Sequence, residues 1–161
     1  MRTSSKVALI AGFCMLVVFG ASYYQLQSAS MPDLTREGAH ALLAELSEAC
    51  RKGRVSRILS FVAPDAQIAG RTPRQIEPML ARGLQFVKEP EVTFQDVTYT
   101  RDGETVTLSM VANVRDLSTK ETLYSAPVTM TLTRRAIAHV GGLFTTYEWK
   151  ITRVDAVIPS E

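Results

Sequence analysis

Asp96 is the residue of this 161-residue chain best suited by type and setting to acid–base chemistry. It sits where an alternating strand pattern is expected to slip, and a bulge there can turn its side chain toward the inside of a curved sheet. A carboxyl desolvated in that place has a raised pKa and can act as a base, abstracting a proton beside a carbonyl. Tyr99, Tyr124 and Tyr147 could then donate phenolic hydrogen bonds to the developing oxyanion. The two histidines cannot be paired from sequence: His40 lies beside Ala39 and Leu42 early in a helical pattern, and His139 shortly precedes Gly141. His139 stands as an alternative acid–base group. A structural reading of the same residues competes with the catalytic one, since aspartate is common at bulges and tyrosine on strands that shield a core. No phosphate-binding glycine loop, zinc cluster or serine–histidine–acid set occurs, so no metal and no cofactor is expected.

The elements that must position these groups centre on Glu91 to Val114. Val106, Leu108, Met110, Ala112 and Val114 alternate with polar residues, the two-residue period of a strand with one buried face. An Asp102-Gly103 turn pairs Arg101 with Glu104, Tyr99 with Val106 and Val97 with Leu108. Continued without interruption, that register sets Phe94 opposite Val111 and its neighbours on the wrong face. One extra residue near Gln95-Asp96 brings Phe94 opposite Met110 and Val92 opposite Ala112, so a β-bulge is predicted there. A bulged sheet bends, and Phe94, Tyr99, Met110, Met130 and Trp149 are the candidates to fill its concave side.

Before the hairpin the spacing predicts three helices. The first is capped by Asp33 or Thr35 and ends at Gly53, with Ala39, Leu42, Leu43, Leu46 and Ala49 on its apolar face. The second covers Val55 to Val62 and stops before Pro64. The third covers Arg74 to Phe86, with Thr72 as cap and Pro73 in its first turn. After the hairpin, Tyr124 to Leu132 alternates as a strand, in which Pro127 favours an edge or a bulge. Trp149 and Ile151 share one parity and Val154, Ala156 and Ile158 the other, so a second irregularity is expected near Thr152-Arg153. Helices first and strands afterwards make an α+β domain, with about three helices packed on one side of a curved, mainly antiparallel sheet of four to six strands.

At the N-terminus, Arg2 and Lys6 precede an uncharged run from Val7 to Tyr24. As a helix it spans about 27 Å, close to a bilayer core. The expectation is a basic cytoplasmic flank (1–6), a transmembrane signal anchor (7–24), a short tether (25–33) and an exported domain (34–161) in the periplasm or outside a bacterial inner membrane. A cleaved signal peptide, cut near Ser28-Ala29-Ser30, is the alternative. Cys14 lies in the apolar run, which leaves Cys50 without a disulfide partner in the exported part. Cys50 could be a thiol nucleophile, but its helical spacing with Leu43 and Leu46 reads as core filling.

Lysines and arginines total 18 against 16 acids, and the two extra cations belong to the membrane flank. Locally, Arg51, Lys52, Arg54, Arg57, Arg71, Arg74 and Arg82 outnumber Asp65 and Glu77, a candidate patch for an anionic surface or a merely solvated one. Nucleic acid is not an expected partner, because no recognition motif or aromatic–basic interleaving appears.

Gly53 followed by Val55-Ser56-Arg57-Ile58-Leu59-Ser60-Phe61-Val62-Ala63-Pro64-Asp65, together with Trp149-Lys150-Ile151-Thr152-Arg153-Val154, resembles the nuclear transport factor 2-like, or cystatin-like, α+β cone. The resemblance covers roughly residues 34 to 158. It implies either a pocket enzyme, an isomerase or dehydratase with an acid or acid–histidine pair and tyrosine donors, or a non-enzymatic binding or assembly domain. Fold alone does not choose between them. The reading adopted is a non-catalytic, membrane-anchored scaffold or binding module of the cell envelope, with a protein partner, a homodimer or a small hydrophobic ligand. The pocket enzyme built on Asp96 or His139 is the alternative.

Overall fold

The computed structural model describes the backbone of residues 33–140 and 144–156, and the side chains of 33–136 and 147–156. In chain order the elements are α1 (Arg36–Arg51), α2 (Val55–Ser60), β1 (Val62–Ile68), α3 (Pro73–Phe86), β2 (Pro90–Asp102), β3 (Thr105–Asp116), β4 (Glu121–Val140) and β5 (Phe144–Ala156). The strands form one five-stranded sheet in the order β1-β5-β4-β3-β2, so β1 and β2 are its edges. The chain divides into two compact units. Leu34–Arg135 with the stretch from Glu148 carries the helices and the core, and Ala136–Tyr147 belongs to the other unit.

Helix α1 starts where Thr35 accepts a hydrogen bond from the Gly38 N–H at 3.1 Å, satisfying one of the orphan donors of a first turn. It stops where Gly53 takes a positive φ of 62°. There the N–H of Arg54 reaches the Ala49 carbonyl and that of Gly53 the Cys50 carbonyl, the two crossed bonds of a Schellman end. Between these ends Ala39, Leu43, Leu46 and Ala49 are buried. They pack on Val106, Leu108, Met110 and Leu132, the buried face of β3 and β4. Helix α3 opens with Pro73 after Thr72, whose N–H is capped by the Gln75 side chain at 3.0 Å. It runs on through Pro78 and buries none of its residues fully, lying against the core with Leu80 and Leu84.

The hairpin forms, with its register two residues away from expectation. Tyr99 faces Leu108, Arg101 faces Val106, Phe94 faces Ala112 and Val92 faces Val114. The turn is Gly103-Glu104, because Gly103, at φ 57°, supplies the first central position of a primed turn. A shift by an even number preserves which face each side chain occupies, so the expected core residues are still the buried ones. The one-residue slip falls between Gln95 and Thr98, and Asp96 takes a left-handed φ of 54° within it.

Two local expectations are corrected. Val62 to Ile68 is a strand, not a helix end and loop: β1 pairs parallel with β5, which makes the sheet mixed. Pro64 is tolerated because β1 is an edge. Pro127 lies inside the interior strand β4, opposite Val111, and the β3–β4 irregularity falls instead between Val114 and Arg115. A strand N–H is directed to a single neighbour, so this proline forfeits one ladder bond and not the strand. Trp149, Ile151, Val154 and Ala156 all join the core despite their two parities, and the β1–β5 register shifts between Val62↔Ile151 and Gln67↔Arg153. The Gly141-Gly142 turn, Val157 and Ile158 lie outside the described residues.

The membrane expectation is also corrected. Among the described residues no helix is long and apolar enough to cross a membrane. Helices α1 and α3 are amphipathic, with charged residues along their exposed faces. The segment 7–24, on which the anchor was placed, lies outside the described residues, as do the flank and most of the tether. The described residues therefore form an α+β domain, and no membrane-crossing helix is found among them. The single-pass inner-membrane topology with a periplasmic domain, the inner membrane as partner, and the membrane-anchored scaffold built on them are set aside.

Candidate binding groove between the first helix and the sheet edge

The acid–base candidates do not converge. Asp96 is exposed at the bulge, where its left-handed backbone directs it away from the core. Tyr99 is half-buried, and its hydroxyl donates to the Leu34 carbonyl oxygen at 2.6 Å, so the phenolic hydrogen is already used. Tyr124 packs against the core from β4. Tyr147 is exposed and belongs, with the backbone of His139, to the Ala136–Tyr147 unit. The His139 side chain lies outside the described residues. His40 is exposed on α1. Burial pushes the Cys50 thiol pKa up, which keeps it protonated and poorly nucleophilic at neutral pH. Among the described residues no cluster of histidine, cysteine or carboxylate side chains could hold a metal ion.

The concave-face candidates do come together. Met110 and Met130 are buried, and Phe94, Tyr99 and Trp149 pack around them in one core cluster with α1. Phe94 and Trp149 also border open space, which remains on either flank of α1. On one flank a groove of about 470 Å³ is lined by His40, Leu43, Ala44, Ser47, Glu48 and Arg51 from α1 and by Glu91 to Phe94 and Val97 from β2. Its helix residues recur at the three- and four-residue spacing of a single helix face. On the other flank a second open depression is lined by Leu42, Phe61 and Trp149, with Glu45, Arg57, Glu148 and Lys150 at its rim. That rim is internally matched: Arg57 pairs with Glu45 at 2.7 Å, and Lys150 pairs with Glu148 and donates to the Ser60 carbonyl.

Charge is distributed unevenly over the basic candidates. Arg51 and Lys52 both engage Glu48, at 2.7 and 2.8 Å, and their hydrogen bonds hold its pKa at about 2. Arg57 is taken by Glu45 and lies 4.8 Å from the Phe61 ring centroid. Arg71 donates to the Met79 sulfur. Arg54, Arg74 and Arg82 carry no ion pair among the described residues, and the last two lie on α3 with the exposed Met79 and Phe86. Neutralisation of Arg51, Lys52 and Arg57 leaves no uniform positive field across the seven. Of the groove's lining, sequence reasoning singled out Phe94 and Arg51 as site candidates and missed Ala44, Ser47, Glu48 and the strand residues Glu91, Val92, Thr93 and Val97. The signal for the strand residues was the Val92–Phe94 alternation on a strand that turns out to be an edge.

No family model matches the chain, and no curated protein matches it. Solved structures do. A Nostoc punctiforme protein of unknown function with a cystatin-like fold aligns at TM-score 0.61 and 14% identity, over 80% of this chain and 95% of that one. A putative ketosteroid isomerase from Shewanella frigidimarina aligns at TM-score 0.54 and 16% identity, over 74% and 94%. Bd1075 of Bdellovibrio bacteriovorus aligns at TM-score 0.60 and 10% identity, and the match covers 78% of this chain and 41% of that one. At these identities the likeness establishes the fold alone, and the fold is nuclear transport factor 2-like.

Proposed function

We propose that this nuclear transport factor 2-like domain is a binding domain that holds an elongated apolar ligand in the groove between α1 and β2. The observation that carries the reading is the groove itself: about 470 Å³, within the range of ligand sites, with Leu43, Val92, Phe94 and Val97 as its apolar wall. Asp96 is exposed and absent from the lining, and the Tyr99 hydroxyl is engaged by Leu34, which supports binding over proton abstraction in this groove. The neutral dye N-phenyl-1-naphthylamine tests it. Its fluorescence should rise on binding to the wild-type domain. Ala44→Trp, a substitution at an exposed position of α1, should fill the groove and abolish the rise while leaving the melting temperature unchanged. An unaltered rise in the variant, or none in the wild type, overturns the reading.

A further inference from the structure

Resting on the groove reading above, we infer that the ligand is an extended peptide segment that adds to β2 as a further strand and carries a basic residue opposite Glu91. Among the described residues strand β2 ends the sheet and has β3 as its one strand partner, so its outer edge presents backbone N–H and C=O groups that no described strand takes. The groove runs along this edge, since Glu91 to Phe94 and Val97 form its strand wall and α1 its other wall. An apolar wall beside an unpaired edge is the setting for strand addition: main-chain hydrogen bonds give affinity and alternate side chains give selectivity.

The spacing of the wall fits that occupant. Val92 and Phe94 lie two residues apart on one face and are only half-buried. A strand laid beside β2 presents its own alternate side chains at the same period, opposite Val92 and Phe94 and beneath Leu43. The bulge sets the length. Asp96, at φ 54°, and the register slip between Gln95 and Thr98 end the regular edge, leaving Pro90 to Gln95, about 20 Å of strand. Such an edge accepts a short segment and resists open-ended sheet growth.

Charge selects between a peptide and a second copy of this chain. Glu48 is paired with Arg51 and Lys52, whereas Glu91, which faces Arg115 across the ladder, forms no ion pair within 4 Å among the described residues. From Glu89 to Gln95 the edge carries Glu89 and Glu91 and no cation. A second copy paired edge to edge would bring more acid to this site. A ligand with lysine or arginine on the face opposite its apolar residues supplies the missing charge.

The test uses acetyl-Thr-Val-Lys-Val-Thr-Val-amide and the same peptide N-methylated at alternate backbone nitrogens, on the full chain. The unmodified peptide should bind and slow hydrogen exchange at β2 amides between Glu91 and Gln95. The methylated one should bind about tenfold more weakly or worse, having lost its donors. Glu91→Gln should weaken the lysine peptide several-fold and leave a peptide with threonine in place of lysine unchanged. Equal affinity for the methylated and unmethylated peptides, or binding without β2 protection, overturns strand addition. Protection that appears with protein concentration alone assigns the edge to a second copy and also overturns it. If the naphthylamine dye binds and the peptide does not, strand addition fails while the groove reading stands; if neither binds, both fail.

Discussion

The Tyr99 hydroxyl donates to the Leu34 carbonyl oxygen at 2.6 Å, bolting the entry of α1 to β2 beyond its bulge. These residues are 65 positions apart in the chain, so the bond fixes the angle at which the helix crosses the strand, and with it the width of the groove. Tyr99→Phe keeps the ring in the core and removes the donor. It should cost about 1 kcal/mol in denaturant unfolding, the worth of one partly buried hydrogen bond. It should also weaken dye binding more than a groove-independent loss of stability would. Unchanged stability and unchanged binding would show that packing alone seats the helix.

Asp96 sits in a backbone conformation that costs most side chains roughly 1 kcal/mol or more, and that aspartate tolerates. Asp96→Gly should leave stability unchanged or slightly raised, because glycine adopts a positive φ freely. Asp96→Val should destabilise by about 1–2 kcal/mol, since a β-branched side chain is poorly accommodated there. The expected readout is a urea midpoint at or slightly above wild type for the glycine variant and clearly below it for the valine variant, with dye binding retained in the glycine variant. Loss of binding on Asp96→Gly would return this carboxylate to a functional role.

How far this domain could be read from sequence depends on where its geometry is local. Apolar spacing places α1 and α3, and alternation identifies Val106, Leu108, Met110 and Leu132 as core, because periodicity is set by each element's own backbone. The bulge was legible because Val92 and Phe94 have the opposite parity to Val97 and Tyr99, and one slip reconciles them. The hairpin turn was misplaced by one residue because Gly103 can occupy either central position of a primed turn. Strand β1 was not legible at all. Val62-Ala63-Pro64-Asp65-Ala66 has no alternation, and it becomes a strand only because β5, some ninety residues later, offers Ile151 and Val154 as parallel partners, with the Ile151 N–H donating to Phe61 at 2.8 Å. The groove was hidden for the same reason: that β2 is an edge follows from the order of all five strands, and no residue of β2 announces it.

Asp116 is a buried carboxylate that ties the β3–β4 loop to the chain entering β2. Ser118 donates to it through its hydroxyl at 2.6 Å and through its N–H at 2.9 Å, and the N–H groups of Glu89 and Lys88 add to these. The Ser118 hydroxyl is the largest cause holding the carboxyl below the ordinary aspartate value of 3.8, against the opposing push of burial. A folded-state pKa below the unfolded one means stability that is complete above the unfolded value and drains away as pH falls through the folded one. Wild-type melting temperature should therefore fall on acidification below about pH 4. Asp116→Asn should melt lower than wild type at pH 7 and lose less on acidification, so the two curves converge at low pH. Parallel curves would remove Asp116 from the acid response.

Leu108 and Phe86 are large apolar residues with opposite surroundings, and they separate core packing from surface hydrophobicity. Leu108 is completely buried between β2, β4 and α1, whereas Phe86, at the last position of α3, is 84% exposed. Leu108→Ala removes buried methyl groups and leaves a cavity beneath α1, and should cost about 2–5 kcal/mol. Phe86→Ser removes a ring that touches mostly solvent and should change stability by no more than about 0.5 kcal/mol. Both are measured by the shift in urea midpoint at constant slope. A large loss from Phe86→Ser would mean that the ring is covered in solution, most simply by another molecule seated on the exposed face of α3 beside Met79 and Arg82.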